Sequence, residues 1–336
     1  MGGYNKLYKR KHYEVYMHIL VTNDDGVTAP GLLALAQEMR KLGKVSVLAP
    51  DRNWSASGHV KTLDRPLRVK DVCLADGSSA WACDGAPSDC VALAIRGFFE
   101  EKVDLLVSGI NPYANFGHDV TYSGTVTAAM EAAIWSVPAV AISLDSPDVH
   151  SGVIDYSAAA HFGFLVAQST ARYGLAPNVL LNVNVPFLPE HQIRGIQITR
   201  QGLRVYHDKM DRRIDPRGRP YYWTIGDVPT GVPERGSDIG ALAEGYVSVT
   251  PIQLDLTAYH VMPDLNTWEW NGKLQLADAS GPADLLVEGG GALVAHACGP
   301  ADVDGQGLAG IHLGGANPAD ADQCFAGLQP GSLHRA

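Results

Sequence analysis

Two adjacent carboxylates follow the first apolar segment of the chain. Asp24 and Asp25 lie in the sequence NDDG, directly after the segment HILVT. Neighbouring carboxylates repel each other unless a cation joins them, and oxygen ligands of this kind suit Mg²⁺, Mn²⁺ or Ca²⁺. The segment therefore predicts a divalent-metal site. The alternative interpretation is an Asx turn with Asp25-Gly26 at its corner and Thr28 as the cap of the following helix.

A polar loop after the next apolar segment is a second candidate. It runs from Asp51 to His59 and reads DRNWSASGH. Its hydroxyl groups, including that of Ser55, could ligate a metal or bond a phosphate, and Arg52 and His59 could neutralise negative charge. From this segment alone, a solvated surface loop is the favoured alternative.

A third polar segment combines amide side chains with the start of a helix. Asn111 and Asn115 precede Ser123-Gly124-Thr125, where a helix rich in small residues begins. Free N–H groups and the helix dipole favour an anion at such a terminus, so we predict a phosphate cradle formed by these three residues. The alternative is that Ser123 or Thr125 only caps the helix, although a cap can also bind a phosphate.

The elements around these segments must bring them together. Short apolar strands are predicted at HILVTN, KVSVLAP, VDLLVSGI, VPAVAISL and NVLLNVNVP, with helical segments between them. This alternation predicts an α/β fold with a doubly wound, mostly parallel sheet, in which ligands bind beyond the carboxyl ends of the strands. A metal and a phosphate cradle at that edge suggest metal-assisted phosphoryl transfer to water. The chain has no Walker A, GxGxxG or GxSxG motif, which argues against NTPases, dinucleotide enzymes and serine hydrolases.

Composition and charge narrow the functional class. The 336 residues are 46% hydrophobic, enough for a sizeable core, and 26 Lys and Arg against 36 Asp and Glu give a net charge of -10. That charge argues against binding to a nucleic-acid duplex. The five cysteines are odd in number and lack CxxC spacing, which predicts reduced thiols. No apolar run is long enough for a membrane span or a signal peptide, so we expect a cytoplasmic protein that does not enter a membrane.

The chain divides into three parts by composition. Residues 1–16 read as a leader outside the native start, residues 17–270 as the catalytic body, and residues 271–336 as a poorly ordered, acidic extension rich in Gly and Ala. Within the body, about residues 200–240 are basic, aromatic and rich in Pro and Gly. This segment predicts a protruding oligomerisation arm.

Several of these segments together resemble the SurE (survival protein E) family of 5'-nucleotidases, from Met17 to about Tyr259. The segments that carry the resemblance are VTNDDGVTAPGLLALA, APDRNWSASGH, DGAPSDCVALA, VSGINPYANFG, YSGTVTAAMEAA, DPRGRPYYW and GYVSVTPIQLDLTAY. The resemblance implies a Rossmann-like domain with an extending arm, assembled as a homodimer or homotetramer. It also implies metal-dependent phosphomonoesterase activity on nucleoside 5'-monophosphates, often on 3'-monophosphates, and in some members on short polyphosphate.

The resemblance also assigns roles to individual residues. It implies one Mg²⁺ or Mn²⁺ ion per subunit, with metal ligands at Asp24, Asp25, Ser55 and Asn111. The phosphate would be held by Asn115, which we count among the catalytic residues, and by Ser123, Gly124 and Thr125. Asp25 is the stronger candidate for accepting a proton from the attacking water, but the sequence does not separate this role from metal ligation.

Two positions depart from the family pattern. Trp54 stands where a polar or basic residue is usual, and His118 stands where an acidic or small polar residue is common. Both departures could change substrate preference. They also leave open a second function, a nucleotide- or polyphosphate-binding protein in which catalysis is impaired.

Overall fold

A mostly parallel sheet with helices on both faces organises the chain, which this computed structural model describes at residues 17–147, 150 and 152–268. The predictions for residues 1–16 and 271–336 lie outside the described residues. The strands are β1 (His18–Thr22), β2 (Lys44–Pro50), β3 (Val69–Cys73), β4 (Ser79–Cys83), β5 (Leu105–Asn111), β6 (Ala139–Asp145), β7 (Val179–Pro186), β8 (Ile196–Ile198), β9 (Arg204–Ile214), β10 (Pro220–Gly231) and β11 (Val247–Gln253).

The order of the strands creates a crevice at the centre of the sheet. Nine described strands pair in the order β3-β4-β2-β1-β5-β6-β7-β11-β8. The pairs from β2 through β1, β5 and β6 to β7 are parallel, whereas β3 and β11 pair antiparallel with β4 and β7. The chain runs from β1 towards one edge and then returns to β5 on the other side of β1. The carboxyl ends of β1 and β5 therefore flank the switch point at which doubly wound sheets bind ligands, and the predicted fold class is confirmed.

Helices cover both faces of this sheet. They are α1 (Pro30–Met39), α2 (Pro87–Leu93), α3 (Gly124–Ile134), α4 (Ser157–Tyr173), α5 (Asp238–Ala243) and α6 (Met262–Leu265). Ile19 and Val21 of β1 pack into a core with α1 and α4, and Leu20 packs into the opposite core with α2 and α3. Because both faces are buried, the central strands are continuously apolar instead of alternating. Among the described residues, no helix is both long and apolar enough to cross a bilayer.

Strand β5 is irregular just before its polar end. Its register with β6 shifts between Ser108 and Asn111. Gly109 has a φ of 136°, and a Cβ there would lie 2.3 Å from the carbonyl oxygen of Ile142. Only glycine fits this close approach to the neighbouring strand. The irregularity changes the direction of the chain directly before Asn111. In a regular strand, Asn111 would have a different orientation.

The predicted arm is a hairpin with its own two-stranded sheet. Strands β9 and β10 pair antiparallel with each other, and the main sheet does not include them. In the turn between them, both oxygens of the Asp215 carboxylate accept hydrogen bonds from Arg219. Several large apolar side chains on the hairpin are exposed, namely Tyr206, Met210, Ile214, Tyr221, Tyr222, Trp223 and Ile225. The structure therefore shows a hairpin within the predicted arm, and the role of the arm in oligomerisation stays a prediction.

Candidate metal and phosphate site

The turn after β1 is held by Asn23, not by the aspartates. The side-chain amide of Asn23 donates to the carbonyl oxygen of Gly26 at 3.0 Å, and its Oδ1 accepts from the Gly26 N–H at 3.2 Å. The cap residue of α1 is Ala29, with no side-chain capping bond, so the interpretation of Thr28 as a cap is wrong. The Asx turn exists, but its geometry leaves both Asp24 and Asp25 available for a ligand.

Asp24 is buried against the N-terminus of α3. Its side chain is 3% exposed, and the Thr125 hydroxyl donates to its Oδ1 at 2.5 Å. A Cβ on Gly124 would lie 2.6 Å from the Cβ of Asp24. The start of α3 can therefore lie this close to Asp24 only because residue 124 is glycine. Burial raises the pKa of Asp24, although hydrogen bonds from the side chain and backbone of Thr125 and from the backbone of Gly124 oppose that rise.

Asp25 is partly buried beside Asp24. Burial first, and then repulsion from the Asp24 carboxylate, raise the pKa of Asp25 to about 7. Its Oδ1 accepts a hydrogen bond from the Asn53 side chain at 3.3 Å. Two neighbouring carboxylates that both resist ionisation are an environment that a divalent cation would stabilise, because its charge compensates for burial and repulsion together. The residues therefore fit a bound divalent cation.

The donors that accompany this pair are hydroxyl and amide groups. In the described part of the chain, no group of three or more His, Cys, Asp or Glu side chains is placed to hold a metal. Carboxylate, hydroxyl and amide oxygens suit Mg²⁺ or Mn²⁺ better than they suit zinc, which prefers nitrogen and sulfur ligands.

The loop that carries Ser55 contacts the aspartate turn directly. The Trp54 N–H donates to the carbonyl oxygen of Asp24 at 2.7 Å. The Ser55 N–H donates to Oδ1 of Asn53 at 2.8 Å, and the Asn53 amide in turn contacts Asp25. Ser55 is exposed, as expected for a residue of a solvated loop. The hydrogen bonds of Trp54 and Asn53 nevertheless hold this part of the loop next to the carboxylate pair.

A buried glutamate on α3 anchors the other end of this loop, and sequence reasoning missed it. Glu131 is 2% exposed, accepts a hydrogen bond from the His59 ring at 2.9 Å and forms an ion pair with Lys61. The indole N–H of Trp135 also donates to the Glu131 carboxylate, at 2.8 Å. Nearby, the Thr127 hydroxyl donates to the carbonyl oxygen of Gly58 at 3.0 Å. The helix that begins at the predicted phosphate cradle therefore also fixes the Ser55 loop.

The Glu131 cluster predicts a loss of stability in acid. Burial raises the pKa of Glu131, but the hydrogen bonds from His59, Lys61 and Trp135 outweigh burial and lower the pKa to about 2. A lowered pKa stabilises the fold above the ordinary value of 4.5, and this contribution disappears as the pH falls through about 2. Glu131→Gln should lower the free energy of unfolding at pH 7 by on the order of 3 kcal/mol and should unfold like the unmodified protein near pH 2. Denaturant unfolding at a series of pH values measures both.

The matched control for this experiment is Glu101→Gln. Glu101 forms an ion pair with Lys44 at 2.7 Å, but both side chains are exposed, so its loss should change stability little. Stability curves for Glu131→Gln and the unmodified protein that coincide between pH 7 and pH 2 would show that the cluster does not stabilise the fold.

Asn111 and Asn115 lie at the same edge of the sheet, after β5. The side-chain amide of Asn111 donates to the carbonyl oxygen of Tyr113. Asn115 is 8% exposed, and its side-chain amide donates to the Ser143 hydroxyl on β6 at 2.8 Å. Its backbone is held by Asn182 and Asn184 on β7. The backbone of Asn115 is therefore fixed by the strands beside β5, with one side-chain contact to Ser143.

Ser123 is the cap of α3, as the alternative interpretation predicted. Its Oγ accepts from the Val126 N–H at 3.2 Å, which leaves the hydroxyl hydrogen able to donate to a ligand. The Thr125 hydroxyl, by contrast, is directed to Asp24. The structure thus brings Gly124 and Thr125 against Asp24, with Ser123 directly before them, and binding of phosphate there stays a prediction.

Asp238 is a second residue that sequence reasoning missed. It is fully buried at the start of α5, and its carboxylate accepts from the N–H groups of Gly117, at 3.0 Å, and Gly202, at 2.7 Å. Its partners lie 121 and 36 positions away in the sequence, so no local pattern could have identified it. Asp238 joins the segment after β5 to the base of the hairpin.

The base of the hairpin is also joined to this segment by Asp119. Arg204 forms an ion pair with Asp119 at 2.9 Å, and the Tyr206 hydroxyl donates to the same carboxylate at 2.6 Å. The guanidinium of Arg204 lies 4.6 Å from the centre of the Phe116 ring. The hairpin is therefore anchored to the loop that carries Asn115.

Known proteins share this arrangement of elements. The family described as survival protein SurE matches residues 19–208. The 5'-nucleotidase SurE of Chloroflexus aggregans is 50% identical over 254 residues, 76% of this chain and 100% of that protein. The protein of the same name from Herpetosiphon aurantiacus is 49% identical, covering 76% and 99%. The crystal structure of the SurE protein from Aquifex aeolicus has a TM-score of 0.63 and 39% identity, covering 74% and 98%. By its sequence and its fold, this chain belongs to the SurE family.

Proposed function

We propose that this chain is a metal-dependent phosphomonoesterase that hydrolyses nucleoside 5'-monophosphates to nucleoside and phosphate. The observation that carries the proposal is the pair of Asp24 and Asp25 at the switch point of the sheet, in which Asp24 is buried and held against the N-terminus of α3. The relatives named 5'-nucleotidase SurE support the nucleotide as substrate.

Four side chains would hold the divalent cation. They are Asp24, Asp25, Ser55 and Asn111, and the ion that we propose is Mg²⁺ or Mn²⁺. The chemistry that such an ion supplies when bound is neutralisation of charge on the phosphoryl oxygens. Thr125 holds Asp24 in place, and the Ser55 loop is kept beside the pair by its contacts with the aspartate turn and with α3.

The remaining residues of the site act on the phosphate and the water. The Ser123 hydroxyl and the start of α3 would bind the phosphate oxygens, because the terminus of a helix carries partial positive charge. Asn115, with its backbone fixed by β7 and its side chain bonded to Ser143, would position the phosphate for in-line attack. Asp25, the more accessible of the two aspartates, would accept the proton that the attacking water releases.

A substrate-by-metal panel tests the proposed function. Phosphate release is measured from 5'- and 3'-monophosphates of each nucleoside, and from short polyphosphate, with Mg²⁺, with Mn²⁺ and with a chelator. We expect release from the 5'-monophosphates with a divalent ion and none with the chelator. If calorimetry showed metal-dependent binding of AMP and no ion gave phosphate release, the chain would be a nucleotide-binding protein instead.

We also propose that the hairpin assembles this chain into a homodimer or homotetramer. Trp223 and Tyr222 are 57% and 56% exposed, and Met210 is 71% exposed. Apolar side chains on a protruding hairpin are costly in water, and packing on a second copy would cover them. The predicted cytoplasmic location stays a prediction.

Shortening the hairpin tests the assembly. Lys209 lies opposite Ile225, so replacing residues 210–224 with Asn-Gly closes the strands with a two-residue turn and keeps the anchored base. We expect light scattering to show a dimer or tetramer for the unmodified protein and a smaller species for this variant. An unchanged molecular mass would exclude the hairpin as the assembly element, and a monomeric unmodified protein would exclude the assembly itself.

A further inference from the structure

A large cavity lies at the same edge of the sheet as the carboxylate pair, and the residue roles proposed above do not use it. Its volume is about 860 Å³. Its walls include Asp145 and Pro186, which end β6 and β7, and Tyr113, which follows β5. The volume falls within the range of cavities that bind small organic ligands.

The position of the cavity suits the part of a nucleotide beyond its phosphate. Strand β6 is the neighbour of β5 and the second neighbour of β1. Adjacent strands lie about 4.8 Å apart, so the ends of β1 and β6 are separated by about 10 Å. This separation places the cavity within reach of a nucleoside whose phosphate is bound at the end of β1.

The chain itself connects the cavity to the site. Tyr113 lies between Asn111 and Asn115, and its carbonyl oxygen accepts the side-chain amide of Asn111. Tyr113 therefore belongs to the loop that follows the proposed ligand Asn111 and at the same time forms part of the cavity wall.

Of the aromatic rings in the cavity wall, Tyr113 is the most accessible. It is 47% exposed, whereas Phe116 is 8% exposed and has the guanidinium of Arg204 on its face, 4.6 Å from the ring centre. Phe187 is partly buried, and the ring of His150 contacts it at a centroid distance of 5.1 Å. An exposed aromatic ring beside a phosphate site can stack on a planar base.

We propose that this cavity receives the nucleoside part of the substrate and that the base stacks on Tyr113, which makes Tyr113 a substrate-binding residue. The proposal rests on the proposed nucleotidase function. Because every base has a flat π-face, stacking of this kind favours nucleotides over other phosphate esters without strong selection among the bases.

The role of Tyr113 is tested by measuring the kinetics of Tyr113→Ala on two substrates, of which one has a base and the other lacks it. The two substrates are AMP and ribose 5-phosphate, which share the sugar and the phosphate. Loss of a stacking contact should raise KM for AMP by about 5- to 150-fold and leave kcat within about twofold. KM for ribose 5-phosphate should not change.

Two further variants serve as controls. Tyr113→Phe retains the ring and should behave like the unmodified protein towards AMP. Tyr173→Ala removes an exposed tyrosine at the end of α4 and is the matched control.

Two results would overturn the proposal. Equal losses on AMP and ribose 5-phosphate would mean that Tyr113 supports Asn111 instead of binding the base, and an unchanged KM for AMP would mean that the base lies elsewhere. If the unmodified protein hydrolyses neither ester, the proposed function fails, and calorimetry with adenosine then tests the cavity by itself. Adenosine binding that Tyr113→Ala abolishes would support the cavity proposal, and no binding of adenosine to the unmodified protein would contradict it.

Discussion

Asp24→Asn is expected to abolish phosphate release from AMP while the protein remains folded. Loss of a residue that only supports a metal ligand commonly costs 10- to 100-fold in metal affinity or activity, so loss of the buried ligand itself should cost at least about 100-fold. Asparagine is nearly isosteric, and it removes a carboxylate whose pKa is raised by burial. The melting temperature of the metal-free protein should therefore change little, because the lost hydrogen bonds are offset by the removal of a buried charge.

A second measurement separates the loss of metal binding from general damage. Mn²⁺ should raise the melting temperature of the unmodified protein, because a ligand that binds only the folded state stabilises it. This increase should disappear in Asp24→Asn. The control is Asp71→Asn, which changes an exposed carboxylate on β3. If Asp24→Asn kept most of its activity and its response to Mn²⁺, the proposed metal site would be wrong.

Gly124→Ala is expected to reduce kcat/KM on the order of 100-fold, although it adds a single methyl group. The added Cβ would lie 2.6 Å from the Cβ and 2.9 Å from Oδ2 of Asp24. Helix α3 begins at this residue, so the contact must displace either the helix or the carboxylate. Displacement of a reacting group by about 1 Å commonly costs a hundredfold in rate. The same crowding should lower the free energy of unfolding by about 1 to 3 kcal/mol.

The matched control is Gly163→Ala on α4. Its Cβ would lie 3.5 Å from Ile142 and Leu35, an ordinary contact distance. Because alanine favours helices over glycine, this variant should be as stable as the unmodified protein or more stable, by up to about 1 kcal/mol, with unchanged activity. Steady-state kinetics and denaturant unfolding of both variants test the pair. Equal activity in the two variants would show that the close approach at Gly124 does not matter for the site.

The local parts of the fold could be predicted from the sequence. The central strands are continuous apolar runs because both faces of the sheet are covered, and this pattern predicted β1, β2, β5, β6 and β7. The assignment of Thr28 as a cap was wrong because α1 begins at Pro30, so that Ala29 and not Thr28 occupies the cap position. Asn23 closes the turn that precedes the helix. The residue at which a helix begins is decided by the path of the backbone, which the pattern of residue types does not specify.

The residue types of the candidate site were also visible in the sequence, but their arrangement was not. Adjacent carboxylates, a hydroxyl-rich loop and a helix start are local features, and each predicts a chemistry by itself. Their meeting depends on contacts such as that between Asp24 and Thr125, which lie 101 positions apart. The same applies to Glu131, whose partner His59 is 72 positions away, and to Asp238.

The sequence by itself determined the α/β class, the oxygen-bearing side chains of the candidate site and the resemblance to the SurE family. Tertiary structure alone decided that Thr125 holds Asp24, that Glu131 and Asp238 fix the loops of the site, and that a cavity opens beside Tyr113. The reason is physical. Backbone propensity and apolar periodicity act over a few residues, whereas burial, ion pairing and the shape of a cavity depend on which distant segments the sheet brings to one edge.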